Sequence, residues 1–328
     1  MERRDLTVGF VGLGNMGAPM ARNLRQAGYP VVVHDVDAAR GPRFVEDFGG
    51  VAAGAPDDFA EAGVVITMLP NGSAVAQAIL EWQGGIAAAL ASGSVVVDMS
   101  SSSPLDTQAL GRELAERGLG LVDAPVSGGI TRADSGTLAI MVGGDDPQAI
   151  KRVEPVLEVL GGRLFHTGPL GSGHAMKALN NYCGATAYSA TAEALAIGQR
   201  FGLSGEVMLD VLNNSTGRSF NTEVVFKDEV VPGRYATGFA LGLLAKDVGI
   251  AAALAESSGL ETPICELVSR RWSQALEALG TAADHSEAHK GWWDVPLAAP
   301  GSGVTGVPAE AEVASEAGVP TGDDARMS

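Results

Sequence analysis

Thr7-Val8-Gly9-Phe10-Val11-Gly12-Leu13-Gly14-Asn15-Met16-Gly17 is the stretch from which the rest of the chain can be placed. A short apolar, partly β-branched run feeds directly into a Gly-x-Gly-x-x-Gly turn. Met16, Met20, Leu24 and Ala27 then recur near the helical period until Gly28 stops the pattern, and Val31-Val32-Val33-His34-Asp35 reads as a second strand ending in a carboxylate. Strand, glycine turn, helix, strand and acid, in that order, make a complete dinucleotide fingerprint rather than a stray glycine pattern. Gly12 permits the tight turn, Gly14 lets backbone approach a pyrophosphate, and Gly17 lets the helix pack closely on the strand. Leu13, Asn15 and Met16 complete the turn, where a helix N-terminus offers unpaired N–H groups and partial positive charge. Asp35 stands near the spacing of about 20 residues at which an acid meets the adenosine ribose hydroxyls. A carboxylate there repels a 2′-phosphate, which favours NAD over NADP; Arg40, close downstream, weakens that preference.

The alternation continues outward. Residues 64–69 read as a third strand, 94–99 as a fourth and 120–124 as a fifth, each uniformly apolar in the way of buried parallel strands and separated by helical patterns. Residues 138–142 and 163–167 add two more runs around a helix from about Pro147 to Leu160. The pattern predicts an α/β fold with a doubly wound sheet, in which ligands bind outside the carboxyl ends of the strands. Those ends carry Leu69-Pro70-Asn71, the serine run around Ser101 before Pro104, and Asp123-Ala124-Pro125-Val126-Ser127-Gly128-Gly129. Ser127 with the amides of Gly128 and Gly129 suits an anion cradle that adds no formal charge, and it equally suits an ordinary turn. The serines around Ser101 also suit an N-cap for the following helix.

Gly168-Pro169-Leu170-Gly171-Ser172-Gly173-His174-Ala175-Met176-Lys177-Ala178-Leu179-Asn180-Asn181 is the pivot between this half and the next. Its glycines end a strand and open an apolar-periodic segment that runs to about Phe201. Lys177 and Asn181 sit one turn apart on one helical face. A lysine near a helix start, beneath a partly apolar roof, has its ammonium form disfavoured and can exchange protons near neutral pH. The plain alternative is a surface Lys and a surface Asn.

Beyond the pivot the period stays helical, over residues 175–201, 204–212, 239–257 and 262–279. The plain reading of Lys246-Asp247 is a salt-bridged helix surface, and that of Trp292 and Trp293 is packing. From about Pro296 the composition turns to Pro, Gly, Ala, Val and acids, as in a flexible tail. The expected division is a dinucleotide-binding domain over 1–170, an all-helical substrate and subunit-contact domain over 171–295, joined by the long helix after Gly173, and a tail over 296–328.

A chain of 328 residues with 46% hydrophobic content has ample material for two cores. The formal charge of −17 argues against nucleic acid or an anionic membrane as a partner, and an anionic substrate would need local positive charge. Cys183 and Cys265 lie far apart, outside any Cys or His cluster, so reduced thiols are expected, with Cys183 a small buried hydrophobe. The five histidines show no metal-ligand spacing. The start of the chain lacks the apolar core of a signal peptide, and no run approaches membrane-span length, which predicts a cytoplasmic protein.

With these loops laid out, residues 6 to 290 resemble the β-hydroxyacid dehydrogenase family. Four blocks carry the likeness: residues 12–24, 123–129, Gly171-Ser172-Gly173 through Lys177 and Asn181, and Lys246-Asp247. The resemblance implies a Rossmann domain, an all-helical domain and a cofactor cleft between them. It implies that Lys177 is the general acid/base and that Asn181 orients the reacting oxygen. Ser127, Gly128 and Gly129 would hold the substrate carboxylate, and Ser101, a threonine in many members, and Lys246 would touch the cofactor beside Leu69 and Pro70. The implied activity is NAD-dependent interconversion of a small 3-hydroxy acid and its semialdehyde or keto acid, by a homodimer or homotetramer. An NADPH-dependent reductase of glyoxylate or succinic semialdehyde type, and a catalytically silent dinucleotide-binding protein, are the alternatives. Arg218, His289 and Lys290 are candidates, on charge alone, for binding a second polar end of the substrate.

Overall fold

The computed structural model of the chain describes residues 5–293 and Leu297. The predicted tail at 296–328 lies outside the described residues apart from Leu297. The first half alternates β1 (Thr7–Val11), α1 (Gly17–Gln26), β2 (Val31–His34), α2 (Arg40–Phe48), β3 (Val51–Ala52) and β4 (Ala62–Thr67). It continues with α3 (Gly72–Ala76), α4 (Ile86–Ala89), β5 (Val95–Asp98), α5 (Pro104–Glu116), β6 (Gly120–Asp123), β7 (Val126–Ser127), α6 (Gly129–Ser135), β8 (Leu138–Gly143), α7 (Pro147–Leu160) and β9 (Gly161–Gly168).

Strands β3-β2-β1-β4-β5-β6 lie side by side and parallel, the order of a dinucleotide-binding sheet. The uniform apolarity of the strands has a direct cause in the two cores. Val8, Phe10, Val64, Ile66, Val95 and Val97 face one of them, and Val11, Val65 and Val96 face the other. With both faces covered, no strand position can be polar without a partner.

The far edge departs from the expected parallel pattern. β8 runs antiparallel to the end of β6 and to β7, and β9 then pairs parallel with β8. The segment from Gly128 to Thr137 is shorter than the dozen or so residues a parallel crossover needs, so the chain can only fold back. This reversal carries Ser127, in β7, away from the sheet's middle toward the helical half.

The helical half consists of α8 (Ser172–Arg200), α9 (Gly205–Asn213), π-helical turns at Asn221–Val230, α10 (Leu241–Ser258), α11 (Pro263–Leu279) and a 3-10 turn at His285–Gly291. α8 spans 29 residues, about 44 Å at 1.5 Å per residue. Its first turns pack on β8 and β9, and its remainder packs on α10 and α11. One helix therefore belongs to both cores and carries Lys177 at the junction. Tyr188, Phe226, Trp272 and Trp292 interlock in the helical core, with Trp293 edge-on against Trp292, as the packing reading requires. Among the described residues, no helix is long and apolar enough to cross a membrane.

Candidate active site

The glycine turn has the shape its spacing calls for. Gly12, at φ +101°, is buried, and a side chain there would run into the Met68 carbonyl; one at Gly17 would run into the carbonyl of Gly12. Gly14 differs from both, because a Cβ there would meet nothing nearer than Arg40 Nη1 at 3.9 Å. That open space above an N-terminal helical turn fits a pyrophosphate, which backbone can approach only where no side chain intrudes. Leu13 is buried, Asn15 exposed and Met16 half-buried at the mouth of the turn.

Asp35 is tied into the same turn. Its Oδ2 accepts from Leu13 N at 2.7 Å and faces Arg40 Nη1 at 3.3 Å, while its Oδ1 accepts from Asp37 N at 2.9 Å. Arg40 also meets Asp37 at 3.4 Å. Two carboxylates thus engage Arg40, which leaves this corner suited to hydroxyls rather than to a further anion.

The loops after β4 and β5 form the next wall. Leu69 N donates to Ser100 Oγ at 2.9 Å, and Ser103, rather than Ser101, caps α5. Lys246, on α10, reaches across from the helical half. Its Nζ donates to the carbonyls of Ser101 at 2.6 Å and Pro70 at 3.2 Å. The Lys246-Asp247 pair is therefore a strap between the two halves, not the exposed salt bridge of the plain reading.

Lys177 stands where β7, α8 and α10 meet. Its Nζ donates to Ser127 Oγ at 3.0 Å. Asn181, one turn on, donates its Nδ2 to Asp247 Oδ2 at 2.6 Å, and Asp247 Oδ1 faces Lys246 Nζ at 3.3 Å. Gly128 and Gly129 follow Ser127 with φ +136° and +66°, conformations that only glycine adopts without strain, and both are exposed. Desolvation holds the Lys177 ammonium below the ordinary lysine value of 10.5; the Asp247 carboxylate pulls it up and the Lys246 ammonium pushes it further down. An amine biased toward releasing its proton, hydrogen-bonded to a hydroxyl and flanked by an oriented amide, is equipped to exchange a proton with an alcohol or carbonyl oxygen.

Lys177 with Ser127 forms one contact pair, and Asn181, Asp247, Lys246, Ser101 and Pro70 form a chain of contacts; the two groups come together on α8, where Lys177 and Asn181 stand one turn apart, and Leu69 N contacts Ser100 Oγ beside Ser101. The residues suggested for a second substrate end belong to neither group. His289 lies in the helical core, its Nδ1 against Tyr188 Oη at 2.9 Å, and burial pushes it down to about 4, so it carries no charge for an acid. Lys290 pairs with Glu287 at 2.8 Å and covers the Tyr235 ring at 3.5 Å. Arg218 is exposed and faces Glu223 at 3.7 Å. Cys183 is exposed rather than buried. Three residues of the site had no separate reading in the sequence: Asp247, which holds Asn181; Asp123, whose carboxylate accepts from Gly171 N and His174 N at 2.8 Å and so caps α8; and His174 itself. All three do lie within the family blocks, which was the available signal.

Residues 7–168 match the family model of the NAD binding domain of 6-phosphogluconate dehydrogenase. Residues 171–292 match that described as NAD-binding of NADP-dependent 3-hydroxyisobutyrate dehydrogenase. The chain is 34% identical over 267 residues to 2-(hydroxymethyl)glutarate dehydrogenase of Eubacterium barkeri, covering 81% of this chain and 88% of the relative. It is 37% identical over 289 residues to the NAD-dependent L-serine dehydrogenase of Pseudomonas aeruginosa, covering 86% and 96%. Among solved structures, 3-hydroxyisobutyrate dehydrogenase of Mycobacterium tuberculosis with L-serine superposes with a TM-score of 0.79 at 33% identity, covering 87% of this chain and 98% of that one.

Proposed function

Because this chain belongs to the β-hydroxyacid dehydrogenase family, NAD-binding oxidoreductases of small hydroxy acids, we propose that Lys177 is its acid/base group and that its substrate is a small 3-hydroxy acid. The observation that carries this reading is the contact of Lys177 Nζ with Ser127 Oγ at 3.0 Å, beside an Asn181 amide fixed by Asp247. On oxidation the neutral amine takes the hydroxyl proton as the carbonyl forms; on reduction the ammonium returns it to the same oxygen. Asn181 uses one Nδ2 hydrogen on Asp247 and keeps the other for that oxygen. Ser127, with the amides of Gly128 and Gly129, grips the substrate carboxylate, so the carbon bearing the hydroxyl is presented to Lys177.

Bound NAD supplies the hydride exchange. The turn formed by Gly12, Leu13, Gly14, Asn15, Met16 and Gly17 would hold it, with Asp35, Leu69, Pro70, Ser101 and Lys246 as its further contacts. The engagement of Arg40 by two carboxylates supports NAD over NADP. Ile197, Phe201, Val207 and Val211 leave apolar surface on α8, α9 and the link between them, which supports a homodimer or homotetramer. Two free thiols suit a cytoplasmic setting.

The test is a panel of L-serine, 3-hydroxyisobutyrate, 2-(hydroxymethyl)glutarate and related 3-hydroxy acids with NAD, following absorbance of the reduced cofactor. Turnover of at least one 3-hydroxy acid in preference to 2-hydroxy analogues is expected. Cofactor binding without turnover of any of them would leave the two alternatives, which NADPH with glyoxylate or succinic semialdehyde separates: turnover marks the reductase, none the silent dinucleotide-binding protein.

A further inference from the structure

One helical turn before Lys177, a buried cluster of charged groups joins the two halves of the site, and nothing in hydride or proton exchange calls for it. Asp98 and Asp123 end neighbouring strands and are register partners across β5 and β6. They are 2% and 0% exposed. Thr67 Oγ1, Ser100 N and Ser102 Oγ donate to Asp98 at 2.9, 3.0 and 2.6 Å, and Gly171 N and His174 N donate to Asp123 at 2.8 Å. Backbone N–H groups can only donate, so Ser100 N, Gly171 N and His174 N each require an acceptor oxygen on these carboxylates. The approach is close enough to exclude side chains: a Cβ on Gly143 would stand 2.5 Å from Asp123 Oδ1, and one on Gly173 2.8 Å from Asp123 Oδ2. Two like charges side by side in an interior are strongly unfavourable unless a cation joins them.

His174 fills that place. Its side chain is fully buried, with Nε2 3.6 Å from Asp98 Oδ2 and Nδ1 3.8 Å from Asp123 Oδ2. Among the described residues, these are the ion-pair contacts of both carboxylates. The hydrogen bonds suit a ring bearing two protons. Nε2 lies 3.1 Å from the Ser100 carbonyl, which can only accept. Nδ1 lies 2.8 Å from Thr107 Oγ1, whose own proton goes to the Ser103 carbonyl at 3.0 Å.

We infer that His174 is an imidazolium clamped between Asp98 and Asp123, and that it is a positioning residue for Lys177. The ring ties α8 to α5 through Thr107 and to the β5–α5 loop through Ser100, and the next carbonyl in that loop, Ser101, receives Lys246. Asp123 caps the helix that carries Lys177 and begins the segment that carries Ser127. One charge thus holds the amine in register with both the substrate side and the cofactor side. Neutralising it leaves two facing carboxylates free to repel, and the start of α8 shifts.

The inference rests on the proposed role of Lys177 only in its kinetic consequence, so the charge is read first without turnover. In the full-length protein labelled with ¹⁵N-histidine, correlation of ring nitrogens with ring carbon-bound protons reports the protons on each imidazole, and His174→Gln assigns the signal. Two protonated nitrogens are expected on His174 at neutral pH. One bare nitrogen on His174, with the Thr107 hydroxyl turned toward it, would overturn the inference whatever the activity. His174→Gln keeps an amide for both neighbours but removes the charge. Its kcat is expected to fall on the order of 10- to 100-fold, the cost of a misplacement near 1 Å. Adding Asp98→Asn, which removes one of the facing charges, is expected to recover much of the loss in kcat and in thermal stability. A double variant no better than His174→Gln would also overturn the inference. A doubly protonated ring in a protein inactive on every 3-hydroxy acid would leave the clamp standing and remove the functional reading instead.

Discussion

Replacing Lys177 by arginine separates two things the lysine provides, a charged hydrogen bond and a transferable proton. Arginine keeps a donor for Ser127 Oγ, now 3.0 Å from Nζ, but a guanidinium does not release its proton at any working pH. If Lys177 only anchored Ser127 and the substrate, losing that charged bond altogether would cost about 1.5–3 kcal/mol, roughly 10- to 150-fold, and arginine would restore most of it. If Lys177 transfers the proton, general acid/base catalysis adds about 10²- to 10⁴-fold that arginine cannot restore. Lys177→Arg is therefore expected to fall at least about 100-fold in kcat, close to Lys177→Met, while both bind NAD as the wild type does. Initial rates of reduced-cofactor formation at saturating substrate, with NAD binding followed separately by fluorescence titration, make the comparison. The sign of the pH dependence follows from the same group. Oxidation needs the free amine, so its rate falls as pH drops through the Lys177 value, which burial places below 10.5; reduction needs the ammonium, so its rate falls as pH rises through it. An arginine variant within tenfold of wild type, or oxidation that keeps its acid limb in Lys177→Met, would refute the proton-transfer role.

Asp247→Asn keeps an acceptor for Asn181 but removes the carboxylate that draws the Lys177 ammonium up, so the acid limb of oxidation is expected to move to lower pH; an unmoved limb in the kcat profile would contradict the coupling. Asp35→Asn retains an acceptor for Leu13 N and releases Arg40 from one of its two carboxylates. Its kcat/KM ratio of NADP to NAD is expected to rise by about tenfold or more, measured with both cofactors, and an unchanged ratio would show that Asp35 does not set the preference. His289 is held down to about 4 in the folded protein against 6.5 unfolded, so the unfolded chain binds more protons between those values. Folding stability is then fully present above pH 6.5 and falls by roughly 3 kcal/mol on the way to pH 4. Denaturant titrations across that range are expected to show a shallower fall in His289→Asn, and equal slopes would exclude His289 as the source.

The dinucleotide half was legible because its signals are local. Val8, Phe10 and Val11 are apolar whichever way they point, since the sheet is covered on both faces, and Gly12, Gly14 and Gly17 each answer to a clash or an opening at one short turn. The pivot was legible for the same reason: Lys177 and Asn181 share a helical face by spacing alone. The reversal of β8 was not, because a run such as Leu138-Ala139-Ile140-Met141-Val142 has the same composition in either direction. Only the length of the connection before it distinguishes the two. The π-helical turns at Asn221–Val230 lacked a strong apolar period and passed unmarked.

The residues that complete the site are of a different kind. Asn181 meets Asp247 across 66 positions of chain, and Asp123 meets His174 across 51. Nothing in the neighbourhood of Asp247 distinguishes a buried carboxylate gripping an amide from a solvated partner of Lys246, and on base expectation the second is commoner. His289 failed in the opposite sense. It sits in a run of charged residues, where exposure is the natural expectation, yet the 3-10 turn at His285–Gly291 directs it into the aromatic core against Tyr188. A charged side chain in such a protein takes its role from the elements that meet it. The two halves meet along α8, so the residues least visible in the sequence are those that hold α8 against the sheet and against α10. On the proposed role of Lys177, the same contacts fix where it can deliver a proton, and a substitution at Asp123 or Asp247 is expected to act on turnover through the position of that one amine.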